Sequence, residues 1–411
     1  MSADIRTFAD LLAPVRPETF FEQNWEKEPL HIRRSESGFY DNLLTHREVE
    51  AAISSGGLRY PAIQLARDGG FLPAEAFTRN IRSGDDVFTG VPSLDRIRAE
   101  YRSGATISLP AFHRAWEPLG RLAAAIEEDF DHAVHANVYL TPGNAAGFSP
   151  HYDTHEVFVL QIAGSKRWRI ERPSLSLPHR SQPFDPRSYV SSAPLLEIDL
   201  APGDLLYLPR GFVHTTATSD SFSVHVTLGL TVYTWVELLA EWIQSSKNSP
   251  GFRRALPPGF AGHEHVRQSL RDQLPRIIMD LQRMTDFDGL LEGFSRRVRS
   301  ARAGMRAGFD IDVVVIGPRT QLKTPERDSY VVAEEGGKVV LKFHSKTVVL
   351  EKNARPILEE ICRRTRFSPV ELPHPLGEDA TLALVRSLYK EGFLSAQRPS
   401  VATDGPSVRF S

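Results

Sequence analysis

Two segments carry residue types that could do chemistry together: Pro150-His151-Tyr152-Asp153 and, far downstream, Pro209-Arg210-Gly211-Phe212-Val213-His214. Two neutral imidazoles and one carboxylate on one face of an octahedron leave three positions open, enough for a bidentate oxo-acid and dioxygen on non-haem Fe(II). His151 and Asp153 stand at i and i+2, so in an extended segment both side chains project to the same side and can meet one ion. The tripeptide carries little weight by itself. A chain of 411 residues with 14 histidines contains about one His-x-Asp by chance.

The surroundings give it weight. Lys166 lies across a hairpin turned by Ala163-Gly164-Ser165, which returns it to the same end of the strands, where it can pair with a remote carboxylate. His214 follows a Pro-Arg-Gly turn that ends the apolar strand Asp204 to Leu208, and a ligand from a distant strand is what closing a barrel over a metal requires. His155, two residues beyond Asp153, is a rival ligand or a substrate contact, because i, i+2 and i+4 of an extended segment share a side. Arg210, with Arg167 beside Lys166, offers a cation to an anionic substrate group. His263-Glu264-His265 lacks the spacing that aligns two ligands on one helix face. Cys362, the only cysteine, reads as a small buried hydrophobe.

The elements that must position these residues change character along the chain. The first hundred residues alternate short helical patterns with turn signals (Phe8-Ala-Asp-Leu-Leu, Glu18-Thr-Phe-Phe-Glu, Arg47 to Ile53) and form a supporting cap. Phe112, Trp116, Leu119, Leu122, Ala123 and Ile126 recur at helical spacing and predict one helix from Ala111 to Phe130. From Val134 to Val232 short β-rich runs alternate with Pro-Gly and Gly-containing turns, as in a sandwich or barrel. Helical periodicity returns from Trp235 to Ala303, with large apolar residues that a third domain or a second subunit must cover. Short strands follow (313 to 316, 331 to 333, 339 to 343, 347 to 350), then helices near 354 to 364 and 379 to 391, an order compatible with a winged-helix module.

Composition bounds the rest. A hydrophobic fraction of 41% and a charged fraction of 24% are those of an ordinary folded protein, and the length suits two or three domains. A lone cysteine precludes an internal disulfide and fits a reducing compartment. With neither a signal-like N-terminus nor a long apolar run, the expectation is a cytoplasmic protein without a membrane. A net charge of −2 supplies no general pull onto nucleic acid, and the basic run Arg296 to Arg302 reads as a solvated helix face.

At this point the sequence resembles the JmjC-type, cupin-like oxygenases, and within them the ribosomal oxygenases that hydroxylate protein side chains. The resemblance runs through Phe20-Phe21, Trp25-Glu-Lys-Glu-Pro-Leu30, Asn137-Val-Tyr139-Leu-Thr-Pro142, His151-x-Asp153, Gln161-x-x-Gly164-x-Lys166-x-Trp168 and Leu206-Tyr207-x-Pro209-Arg210-Gly211-x-x-His214. It covers about residues 1 to 235. It implies His151, Asp153 and His214 as Fe(II) ligands, Lys166 as partner of the distal carboxylate of 2-oxoglutarate, and Asn137 and Tyr139 lining the same pocket. Thr154-His155 departs from the acidic and aliphatic pair usual in members acting on ribosomal protein, which makes His155 a candidate substrate contact, and the turn residue Arg210 is a second candidate.

The expected fold is α+β. It has a mainly helical cap (1–110), a double-stranded β-helix core (111–234), a helical dimerisation region (235–308), a winged-helix-like domain (309–396) and a flexible tail (397–411). The expected activity is hydroxylation of an unactivated C–H bond on a protein such as a ribosomal protein, by a homodimer that does not bind nucleic acid directly. Rival readings are a hydroxylase of a peptide natural product or small molecule, a DNA-binding regulator with the barrel as sensor, and a dimeric scaffold. Arg386 and Lys390 opposite Asp379 and Glu391 leave the presumed recognition helix without a basic stripe.

Overall fold

The computed structural model describes residues 4–396 apart from 35, 56, 85, 304–314, 326, 328–329 and 344–345. The chain divides into two compact units, Met1–Tyr233 and Thr234–Ser411.

The first unit is built on an eight-stranded sheet. Its strands in chain order are β1 (Leu30–Ile32), β2 (Gln64–Arg67), β3 (Gly70–Phe71), β6 (Thr106–Leu109), β7 (Ala133–Thr141), β8 (Glu156–Gly164), β11 (Leu205–Leu208) and β13 (Ser223–Thr231). They are ordered β1-β11-β8-β13-β7-β6-β2-β3. A smaller sheet, ordered β10-β9-β12, is made by β9 (Lys166–Glu171), β10 (Leu196–Leu200) and β12 (Val213–Ala217), while β4 (Thr78–Ser83) and β5 (Asp86–Pro92) form a separate hairpin.

Strand pairing follows from side-chain alternation. On β8, Val157 and Val159 face the small sheet and pack with Trp168, Ile170, Leu200, Leu206, Leu208 and Phe212. Phe158, Leu160 and Ile162 face the other way, into the larger core. Burial of both faces is why β8 reads as a continuous apolar run rather than an alternating one.

The outer face of the large sheet is covered by α1 (Phe8–Leu12), α2 (Pro17–Gln23), α3 (His46–Ser54), α4 (Leu94–Arg102) and α5 (Glu117–Phe130). Phe8, Phe20, Phe158 and Tyr207 meet edge-on or tilted, with ring centroids 4.8 to 5.7 Å apart. The expectation of a mainly helical cap over residues 1–110 is therefore corrected. This stretch contributes four strands to the large sheet, and its helices are a layer of the same core. Short runs such as Leu30–Ile32 are too brief for alternation to show as a pattern.

The single helix expected from Ala111 to Phe130 is also corrected. A 3-10 turn over Phe112–Arg114 precedes α5, and Ala111 sits in the left-handed region at φ 51°. Pro118 has no N–H to donate, so it fits the first turn of a helix and not its interior.

In the second unit α6 (Trp235–Ser245), α7 (Glu264–Met284) and α8 (Phe287–Ala303) precede β14 (Leu322–Lys323), β15 (Tyr330–Glu335), β16 (Lys338–Phe343) and β17 (Lys346–Leu350). Then come α9 (Arg355–Arg363), β18 (Arg366–Phe367), α10 (Glu378–Lys390) and β19 (Ser395–Ala396). The sheets are β15-β16-β17 and β18-β14-β19, around a core that includes Leu341, Phe343, Ile357, Ile361, Phe367, Val385 and Leu388. The strand expected at 313 to 316 is not one at its described end, where 315 and 316 are irregular, and residues 313–314 lie outside the described residues, as does the tail 397–411. No helix among the described residues is long and apolar enough to cross a membrane.

The hairpin expected around Ala163-Gly164-Ser165 is corrected, because β8 and β9 belong to different sheets and do not pair; Gly164 turns the chain between them at φ 63°, where a Cβ would run into the carbonyl oxygen of Phe222. Gly164→Ala is expected to lower unfolding free energy by about 2–4 kcal/mol, measured by urea denaturation, because it combines left-handed strain with a backbone clash that no rotamer relieves.

Candidate metal centre and co-substrate pocket

His151 and His214 come together because their segments exchange backbone hydrogen bonds. The His214 amide donates to the His151 carbonyl (2.9 Å), and the His151 amide donates to that of His214 (3.3 Å). The Gly211 amide donates to the Asp153 carbonyl at 3.1 Å, tying the third residue to the Pro-Arg-Gly turn. His151, Asp153 and His214 each offer a ligand atom within 4.8 Å of the others, and Nε2 of His214 lies 3.8 Å from Oδ2 of Asp153. It is the one such three-residue group among the described residues.

The rings are set for coordination. Nδ1 of His151 is 2.8 Å from the Ser149 carbonyl oxygen, and Nδ1 of His214 is 3.1 Å from that of Phe212. A carbonyl oxygen only accepts, so each Nδ1 carries the proton and each Nε2 keeps a lone pair for a metal. Burial and the neighbouring His151 push His214 down to about 4, which keeps it neutral and able to ligate. This donor set fits a divalent ion such as Fe(II).

The group opens on a cavity of about 310 Å³. Beside it lies Lys166, first residue of β9, only 4% exposed. Its ammonium donates to Oγ1 of Thr141 at 3.1 Å, and no described carboxylate pairs with it. Desolvation alone pulls it down to about 7. A buried cation of this kind is completed by an anionic ligand.

Asn137 and Tyr139 line the same cavity from β7. The Asn137 side-chain oxygen accepts from the Ala111 amide at 2.9 Å, and burial pushes the Tyr139 phenol up to about 12, so it stays a protonated donor. His155 also lines the cavity but is outside the metal group.

The proposal that Arg210 contacts substrate is corrected. Arg210 is buried, does not line the cavity, and bonds at 2.5 Å to both Glu26 and Glu156, while the Tyr207 hydroxyl donates to Glu156 at 2.5 Å. An arginine held by two carboxylates fixes the turn that delivers His214. Arg167 pairs with Asp199 at the surface, and His263, Glu264 and His265 are exposed at the start of α7.

Several lining residues were not singled out from sequence, among them Thr106, His225 and Thr227. His225 is buried, stacks on Tyr139 at 5.0 Å, and burial with Lys166 nearby drives it well below its usual range, so it is neutral. Its Nδ1 and the Trp168 indole N–H are buried without a partner among the described residues, two polar atoms available to a polar ligand. The available signal was the alternation Ser223, His225, Thr227, Gly229 along one strand.

Residues 112–238 match the JmjC domain family. The chain is 34% identical over 226 residues to the bifunctional lysine-specific demethylase and histidyl-hydroxylase NO66 of Drosophila persimilis, a match covering 54% of this chain and 31% of that one. It is 30% identical over 273 residues to ribosomal oxygenase 1 of Gallus gallus, covering 64% and 44% respectively. The chain thus spans less than half the length of these curated relatives. The Escherichia coli ribosomal oxygenase YcfD, solved in complex with cobalt and 2-oxoglutarate, aligns over 94% of this chain and 99% of its own with a TM-score of 0.47 and 15% identity.

A carboxylate that pairs with Lys166 would bind in a pH-dependent way. The lysine is half protonated near pH 7 and about one part in a hundred protonated at pH 9, and only the ammonium pairs with a carboxylate. Binding therefore takes up a proton, and 2-oxoglutarate affinity is expected to fall about fiftyfold from pH 7 to pH 9 in calorimetric titration, with Lys166→Met losing at least tenfold at pH 7 and its pH dependence.

Proposed function

Because residues 112–238 carry a JmjC domain and the matched stretch is ribosomal-oxygenase-like in sequence, we propose that the chain is an Fe(II)- and 2-oxoglutarate-dependent oxygenase that hydroxylates a protein side chain. The carrying observation is the pairing of a His-Asp-His group with a buried lysine that lacks a counter-charge at the same cavity. When bound, Fe(II) with 2-oxoglutarate and dioxygen supplies oxidative decarboxylation coupled to hydroxylation of a C–H bond, releasing succinate and carbon dioxide.

The chain's own residues perform the rest. His151, Asp153 and His214 would hold the metal, with the Nδ1–H groups of the two imidazoles fixed by the carbonyls of Ser149 and Phe212. The Lys166 ammonium binds the distal carboxylate of the co-substrate, with Tyr139 and Asn137 alongside. Val157, Trp168 and Phe148 wall the cavity with apolar surface that limits water, which strengthens these charge interactions. Names of the relatives point to a ribosomal protein as the substrate class.

We further read the chain as a homodimer in the cytoplasm. Trp235 (72% exposed), Val236 (58%) and Ile243 (58%) on α6, with Ile277 and Ile278 on α7, are large apolar residues left exposed on the second unit, and a second copy of the chain would cover them. The strands and helices after Leu322 are the winged-helix-like module of this reading.

In an assay with Fe(II), 2-oxoglutarate and ribosomal protein, His151→Ala and Asp153→Ala are expected to lower succinate release at least a hundredfold. Unchanged substrate-stimulated turnover in either variant contradicts the proposed function. Sedimentation at micromolar concentration is expected to give twice the chain mass of 46.0 kDa, and Trp235→Glu with Ile243→Glu to shift it to one.

A further inference from the structure

Strands β7 and β13 pair so that three couples share one face in succession: Tyr139 with His225 and Asn137 with Thr227, which line the cavity, and His135 with Gly229, which lie behind the lining residue His155. Successive couples are two residues apart, about 7 Å along the strands. The first couple lies beside Lys166 and belongs to the co-substrate end. The third lies about 14 Å farther along the strands, where Asp153 and His155 enter the same cavity.

The third couple is built differently from the other two. Gly229 contributes no side chain, and its place is taken by the imidazole of His155, whose ring centroid is 5.0 Å from that of His135. A Cβ on Gly229 would fall 2.6 Å from Cδ2 of His155 and would collide with the His135 ring. Gly229 therefore exists here as clearance for an imidazole pair, a requirement distinct from any backbone conformation.

This wall has a definite chemistry. An imidazole offers one donor and one acceptor, or two donors when charged, at a fixed orientation. Among the residues lining the cavity Asp153 is the only carboxylate, and it is committed to the metal group. A guanidinium or ammonium brought here would leave water without a carboxylate of its own to meet. Phe71 and Phe148, 5.3 Å apart and edge-on, add apolar surface to the same cavity.

We infer that His155, seated against His135 in the space left by Gly229, is the specificity-determining contact for the target side chain, and that it selects an uncharged hydrogen-bonding group, imidazole or carboxamide, over a guanidinium or ammonium group. This rests on the oxygenase reading above and names which protein side chains that oxygenase takes.

The test uses the full chain with Fe(II), 2-oxoglutarate and total ribosomal protein from a strain lacking it, reading +16 Da by residue type, with the visible charge-transfer band of the anaerobic Fe(II)–2-oxoglutarate complex as a parallel measurement. Wild type is expected to modify histidine or asparagine and glutamine, and neither arginine nor lysine. His155→Asp is expected to shift the ratio of arginine to neutral targets at least tenfold, His155→Gln to keep the wild-type preference, and Gly229→Ala to lower modification of neutral targets at least tenfold. Modification of arginine or lysine by wild type, an unmoved ratio in His155→Asp, or an intact band with no neutral residue modified each overturns the inference. Absence of the band in wild type overturns instead the oxygenase reading on which it rests.

Discussion

The two backbone hydrogen bonds exchanged by His151 and His214 are the constraint on which the site depends. They hold an irregular segment against the edge of the small sheet, and they set the spacing of two imidazoles that come from 63 residues apart in the chain. Neither residue lies within a long ladder that would fix it otherwise: His151 is an isolated bridge, and β12 has five residues. What secures this short pairing is outside it. Buried Glu156, Arg210 and Tyr207, with half-buried Glu26, lock the turn before His214 from the other side through charged groups bonded to one another. Glu171 does comparable work at the far end of β9, accepting from Tyr189, Ser191 and Ser192 to pin the long connection between β9 and β10.

How much of this could be read from sequence depended on whether the signal was local. His151, Asp153, Lys166, Asn137 and Tyr139 sit in short motifs, and all five line one cavity in the structure. The β-rich stretch was visible through its turn residues, since glycine and proline mark strand ends whatever the tertiary context. The contribution of residues 1–110 to the large sheet was not visible, because β1, β2 and β6 have three or four residues each and are joined to the sheet by partners distant in the chain, β11 for β1, β6 for β2 and β7 for β6. Arg210 was misread for a related reason. A charge in a turn looks exposed in sequence, and only the fold shows Glu26 arriving from 184 residues away to join Glu156 around it.

His225 and Gly229 illustrate a third kind of illegibility. Both lie in the alternating strand Ser223–Thr231, and alternation tells which residues share a face without telling what that face encloses. A buried histidine is ordinarily a satisfied one. That Nδ1 of His225 lacks a partner, and that Gly229 is the clearance for His155, are properties of the space between strands, which no linear pattern encodes.

Lys166 has a consequence beyond the co-substrate it is proposed to hold. An ammonium recognises a terminal carboxylate as a charge, with no sense of what lies at the other end of the molecule. Any short dicarboxylic acid that fits the cavity, among them the succinate that the proposed reaction would leave, can relieve the same electrostatic deficit. Discrimination for the keto acid must then come from the metal end, and the occupancy of this protein becomes a readout of the ratio between competing metabolites and not of one concentration alone.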